Sequence, residues 1–148
     1  MTCPRYEKVR SYMQSHTHGS CLCGAVSFNA KMPAKWVAHC HCTRCQRAHG
    51  AAFVIWVGLE GSDLSVIDPT QALSWYNETE ASRGFCRMCG SPMFFKSPRY
   101  PGEVHVARAL FHENLEQQPQ SNVFFGSHVS WATLAESLPI EPDPEWSQ

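Results

Sequence analysis

The 148-residue sequence carries no excess of either charge: twelve basic residues stand against thirteen acidic ones, a formal net charge of −1. Without a basic stripe there is no electrostatic footprint for a phosphate backbone, and nucleic acid is not an expected partner. No apolar run is long enough to span a bilayer, so a membrane is not expected either. The first twenty residues lack the apolar core of a secretory signal. The expected location is therefore cytoplasmic. In a reducing compartment eight cysteines point to metal and not to a disulfide framework. Asn77-Glu78-Thr79 matches a glycosylation sequon, and in such a chain the match is an accident of composition. Helix signals are scarce, and there is no internal repeat and no linker. The length fits one domain.

What is present is a grouping of thiols. Seven cysteines fall into three clusters: Cys21-x-Cys23, Cys40-x-Cys42-x-x-Cys45 and Cys86-x-x-Cys89. Thiolates this close suit one soft ion, most often zinc, better than they suit pairing with each other. In an extended segment Cys21 and Cys23 point to the same face and offer two sulfurs. Cys86 and Cys89 sit in a knuckle closed by Gly90, where the backbone can turn at positive φ, and offer two more. Two pairs close a tetrahedron. The middle cluster supplies three ligands, which is how a zinc keeps one position open for chemistry. The reading is one ion that holds the fold and one that acts. Other partitions remain: Cys86 and Cys89 with two of the middle cysteines, or Cys3 as an eighth ligand instead of a bystander.

Many short strand candidates with frequent turn signals predict an all-β domain. They are 24–30, 36–40, a buried run 51–57 ended by Gly58, 63–67 before an Asp68-Pro69 turn, 73–76, 93–95 and 103–107. Residues 43–49 read as a polar turn or a single helical turn, and 131–137 as the one longer helix. Residues 1–18 read as a flexible arm, 19–140 as the zinc-binding domain and 141–148 as a tail. The Pro- and acid-rich stretch from Pro139 is expected to form an irregular cover.

Three motifs carry a resemblance. Gly19-Ser-Cys-Leu-Cys-Gly24, His39-Cys-His-Cys-Thr-Arg-Cys-Gln-Arg47 and Gly84-Phe-Cys-Arg-Met-Cys-Gly90 resemble the glutathione-dependent formaldehyde-activating enzyme family. Centromere protein V contains a domain of this kind. His128, Trp131 and Leu138-Pro139 look like the family's closing segment. The resemblance implies small sheets leaning together in a β-tent similar to the Mss4-like proteins. It implies a structural zinc on Cys21, Cys23, Cys86 and Cys89, and a second zinc on Cys40, Cys42 and Cys45. It also implies a carbon–sulfur lyase whose founding reaction joins formaldehyde to glutathione, giving S-hydroxymethylglutathione.

Three thiolates on Zn²⁺ leave a net negative centre, and a bound substrate thiolate adds to it, so positive charge is expected nearby. Arg44 and Arg47 flank Cys45, and Arg47 is the preferred candidate, either for that charge or for a substrate carboxylate. His39 and His41 would point away from the thiolates of an extended segment and read as structural. His49 is a freer candidate for proton transfer, while His105 and His112 have no motif. Phe53, Trp56, Phe94 and Phe95 read as core. Two rivals stand beside the enzyme: a protein-binding module in which zinc serves only architecture, and a redox sensor.

Overall fold

A computed structural model describes residues 15–134 and 137–147. Among the described residues ten strands and one short α-helix follow in order: β1 (His16–Ser20), β2 (Ser27–Lys31), β3 (Trp36–Cys40), α1 (Thr43–His49), β4 (Val54–Glu60), β5 (Leu64–Ile67), β6 (Leu73–Asn77), β7 (Ser82–Cys86), β8 (Pro92–Lys96), β9 (Glu103–Ala107) and β10 (Ser121–Val123). They form a three-stranded sheet, β1-β2-β5, and a seven-stranded sheet, β10-β3-β4-β9-β8-β7-β6. Every pairing is antiparallel except β10 with β3. The fold is all-β, two small sheets packed together, as expected.

Side chains alternate across a strand, so each strand of the large sheet serves two sides. Val57, Leu59, Val104 and Val106 bury against Val26, Phe28 and Ala30 of the small sheet and its entry loop. Phe28 is the joint: its ring meets Phe94 edge-on at 5.8 Å and Phe111 at 5.1 Å. Burying one such ring stabilises by roughly 1.5–3 kcal/mol. The opposite side presents Cys40, Trp56 and Ala107, with Trp36 and Phe95 packed against them.

Several boundaries differ from expectation. β1 begins at His16, inside the stretch read as an arm; residues 1–14 lie outside the described part. Its inward positions are Thr17 and Gly19, so hydrophobicity gave no signal. A Cβ at Gly19 would sit 2.4 Å from the Leu110 carbonyl oxygen, so this strand needs glycine for close approach. β4 starts at Val54 and runs through Gly58 to Glu60. Gly58 does not end the strand: it makes room for the Trp36 indole, which lies 2.2 Å from where a Cβ would be. β8 runs from Pro92 to Lys96, one residue beyond the expected 93–95 at each end. No helix forms at 131–134 or at Ser137, while Ala135 and Glu136 lie outside the described residues, as does Cys3. Asp68 makes its expected turn, accepting from the Ala72 and Leu73 amides at 2.7 and 3.0 Å. No helix among the described residues is long and apolar enough to cross a membrane.

Candidate metal centres

Two groups of thiols come together, and they divide four and three. The sulfurs of Cys21, Cys23, Cys86 and Cys89 all lie within 4.8 Å of one another, as do those of Cys40, Cys42 and Cys45. The first group joins two turns that mirror each other. Gly24 and Gly90, each one residue past the second cysteine, take φ of +80° and +77°. Their amides close the turns by donating to the Cys21 and Cys86 carbonyls at 3.2 and 2.7 Å. Ser91 ties the two turns together: its hydroxyl accepts from the Leu22 amide at 3.0 Å and lies 3.2 Å from Cys89 Sγ. Sulfur separations of 3.7 Å for Cys21–Cys23 and 3.8 Å for Cys23–Cys86 match the donor set of a tetrahedral site. A metal–sulfur bond near 2.3 Å gives tetrahedral edges of about 3.8 Å. These four cysteines could therefore hold a metal ion of that kind.

The second group is built at a strand-to-helix corner. Cys40 ends β3, Cys42 is the N-cap of α1, and Cys45 lies in its first turn. The cap explains the spacing: Cys42 Sγ accepts the Cys45 amide at 3.2 Å, the bond a serine or aspartate would make. Gln46 pins the corner, its amide donating to the His41 and Ser127 carbonyls at 2.7 and 3.0 Å. Buried His41 meets the Asn122 side-chain oxygen at 2.8 Å. Its neighbour His39 stacks on Phe53 at 5.1 Å. Both histidines support the corner.

The cation beside the trio is Arg83, on β7. Its guanidinium lies 3.7 Å from Cys45 Sγ, donates to Glu78 at 2.7 Å, and covers the Phe95 ring at 5.1 Å. Burial would lower Arg83, but the Glu78 hydrogen bond and the Cys45 charge outweigh it and raise it. Burial likewise would raise the Glu78 carboxyl, but hydrogen bonds from Arg83 and Arg44 hold it below the usual carboxylate range. Within the trio, hydrogen bonds from Cys40 and Cys42 lower the Cys45 thiol, and the Arg83 charge adds to this. The contacts to Cys42 and Cys45, with burial, push Cys40 up. Cys42 is raised as well, so without an ion the thiolate is favoured at Cys45, the sulfur at which one guanidinium is aimed.

Arg44 sits at the rim, bonded to Glu78 at 2.7 Å. Arg47 is exposed on α1 and does not line the cleft that the trio opens into. That cleft has a volume of about 960 Å³. Its walls include Trp36, Trp56, Phe95 and Tyr100, so Trp56 and Phe95 are more than core; Phe94 is fully core. His105, which no motif singled out, is buried in the same wall and bonds Glu103 at 2.9 Å; burial lowers its pKa despite that carboxylate. His49 packs edge-on to Trp56 at 5.2 Å, and burial lowers it too. His112 lies apart from the trio, bonded to Ser20 at 2.8 Å. The C-terminal stretch reaches the cleft mouth, where Trp146 sits against Phe124 at 5.6 Å and beneath Arg99 at 4.1 Å. Neither Arg83 nor His105 had a local signal, since only sheet register brings them to the cleft.

Known proteins resemble this sequence and this architecture. A Halomonas elongata protein, whose name places it among glutathione-dependent formaldehyde-activating enzymes, is 30% identical, with 69% of each chain covered. A crystal structure of a Rhodobacter sphaeroides protein superposes with a TM-score of 0.57 at 27% identity, covering 67% of this chain and 91% of that one. The family model for glutathione-dependent formaldehyde-activating enzymes matches residues 16–127, which run from the first strand past β10 and take in all seven clustered cysteines. The chain belongs to that family.

Proposed function

We propose that the chain is a zinc-dependent enzyme of the carbon–sulfur lyase type, acting on an adduct of glutathione or a related thiol. The substrate class is S-hydroxymethyl-like. The observation that carries this reading is the three-sulfur corner, which supplies one donor too few for a closed site and faces the cleft. Cys21, Cys23, Cys86 and Cys89 would hold a structural zinc; Cys40, Cys42 and Cys45 would hold the second. That second ion, when bound, supplies Lewis acidity and keeps a coordinated thiol deprotonated.

In the forward direction the substrate thiolate attacks the aldehyde carbon. The C–S bond forms, the carbonyl π pair moves to oxygen, and the oxygen takes a proton. Cleavage reverses each transfer. The protein's contribution is electrostatic and positional. Arg83 offsets the negative charge gathered at the trio, and its pinning by Glu78 and Phe95 means that little reorganisation is needed as charge shifts. The aromatic walls offer apolar contact to the rest of the adduct. Arg47, outside the cleft, is left with at most a role in drawing anionic substrate to the surface.

The rival reading, a module that only binds other proteins, draws on Leu22 and Met88, exposed by 87% and 64% at the tips of the two glycine turns. Exchange NMR on formaldehyde with glutathione separates the two. The enzyme reading expects wild-type protein to accelerate exchange of S-hydroxymethylglutathione and Cys42→Ser to abolish the acceleration. Protein without effect on exchange of any thiol adduct would overturn it.

A further inference from the structure

The register of the large sheet sets five positions in one row across five strands. Trp36 on β3 pairs with Gly58 on β4, Gly58 with His105 on β9, His105 with Phe95 on β8, and Phe95 with Arg83 on β7. All of the side chains in this row line the cleft. Gly58 makes the row continuous, because any Cβ there would displace the Trp36 indole. The indole meets His105 edge-on at 4.6 Å, His105 stacks on Phe95 at 5.4 Å and 27°, and Arg83 covers Phe95. From Arg83 the next contact is Cys45. A continuous row of ring contacts therefore leads along one cleft wall to the cation beside the trio.

A formaldehyde adduct has no use for such a row. Its hydroxymethyl group is one carbon and a hydroxyl, and gains nothing from ring faces. The strongest charges around the cleft pair with each other: Arg83 and Arg44 with Glu78, Arg99 with Glu80. Beside these pairs the cleft offers apolar and aromatic surface from Trp36, Trp56, Phe95 and Tyr100, in a volume of about 960 Å³. Ligand pockets of roughly 300–1,000 Å³ take drug-sized molecules, and this one is near the upper end.

We propose that the carbonyl half of the adduct is an aromatic or conjugated aldehyde, whose ring lies on the row from Trp36 to Phe95 while its sulfur reaches the trio. This rests on the carbon–sulfur reading above and narrows its substrate. The step balances without a redox partner. Sulfur bonds to the aldehyde carbon, the π pair goes to oxygen, and the proton lost by the thiol ends on that oxygen, giving a hydroxy(aryl)methyl thioether.

Stable thioethers test the proposal without turnover. Calorimetric titration of the metal-loaded protein would compare S-naphthylmethylglutathione with S-methylglutathione, which stands in for the one-carbon adduct. The naphthyl compound is expected to bind at least about tenfold tighter, through buried ring area and ring–ring contact. Trp36→Leu and Phe95→Leu are each expected to narrow that ratio to under about threefold. Equal or tighter binding of the methyl compound would overturn the aromatic assignment, and would leave the carbon–sulfur reading intact if S-hydroxymethylglutathione exchange is still accelerated. If only N-acetyl-S-naphthylmethylcysteine binds, the aromatic row stands and the choice of glutathione fails.

Discussion

The two thiol groups are made of the same residue and are set in opposite surroundings. The four-cysteine group is held by backbone turns and one serine hydroxyl, and joins a turn after β1 to a turn after β7, more than sixty residues along the chain. The three-cysteine group touches a guanidinium and opens onto a cleft walled by rings. One has every ligand supplied by the protein and little around it that could do chemistry. The other gathers three sulfurs among the described residues and is surrounded by charge and apolar surface. The lesson is that surroundings, more than ligand identity, separate a clip from a reaction centre.

The largest expected effect is on the clip. Cys86→Ser should unfold the domain, since structural zinc sites contribute about 10–16 kcal/mol in peptides and typical domains keep only about 5–15 kcal/mol of net stability. Circular dichroism would show loss of the cooperative melt. A variant that melts like wild type would erase the distinction between the two sites.

Next comes the cation. Arg83→Met is expected to lower kcat/KM by about a hundredfold while metal content stays the same, because it removes a preorganised charge and no ligand. Arg83→Lys should recover only part, as a lysine lacks the planar fork that reaches Glu78 and Cys45 together.

The Glu78–Arg83 pair should also show in stability against pH. The Glu78 carboxyl is depressed in the fold, so its contribution is present above about pH 4–5, where the unfolded carboxyl ionises. It is lost as the pH falls through the lower folded value. Urea melts of Glu78→Gln should show a flatter acid limb than wild type; an identical limb would remove the pair from the account. The smallest effect is assigned to Arg47→Ala, under about threefold in kcat/KM, as befits an exposed charge outside the cleft. A loss as large as that of Arg83→Met would move the functional cation to α1.

The division of the seven cysteines into four and three was legible, because spacing within each cluster limits how many sulfurs can meet one ion. So was the all-β class, through alternation at 24–30 and 63–67 and many short runs between turn signals. What was not legible depends on contacts across strands. β1 hid because its buried positions are Thr17 and Gly19. Gly58 looked like a stop because its partner, Trp36, lies on another strand. Arg83 and His105 carry no motif, and reach the cleft only through the register that aligns them with Phe95. Helix propensity at 131–134 loses to an irregular path, and we have no physical account of it.

The central claim is that one chain carries a closed site and an open one. The most direct test is zinc per chain in reduced protein purified without chelators, wild type against Cys42→Ser, with a thermal melt of each. The account predicts two ions falling to one, with the melt retained and exchange activity lost. One ion in both proteins, or loss of the fold in Cys42→Ser, would contradict it.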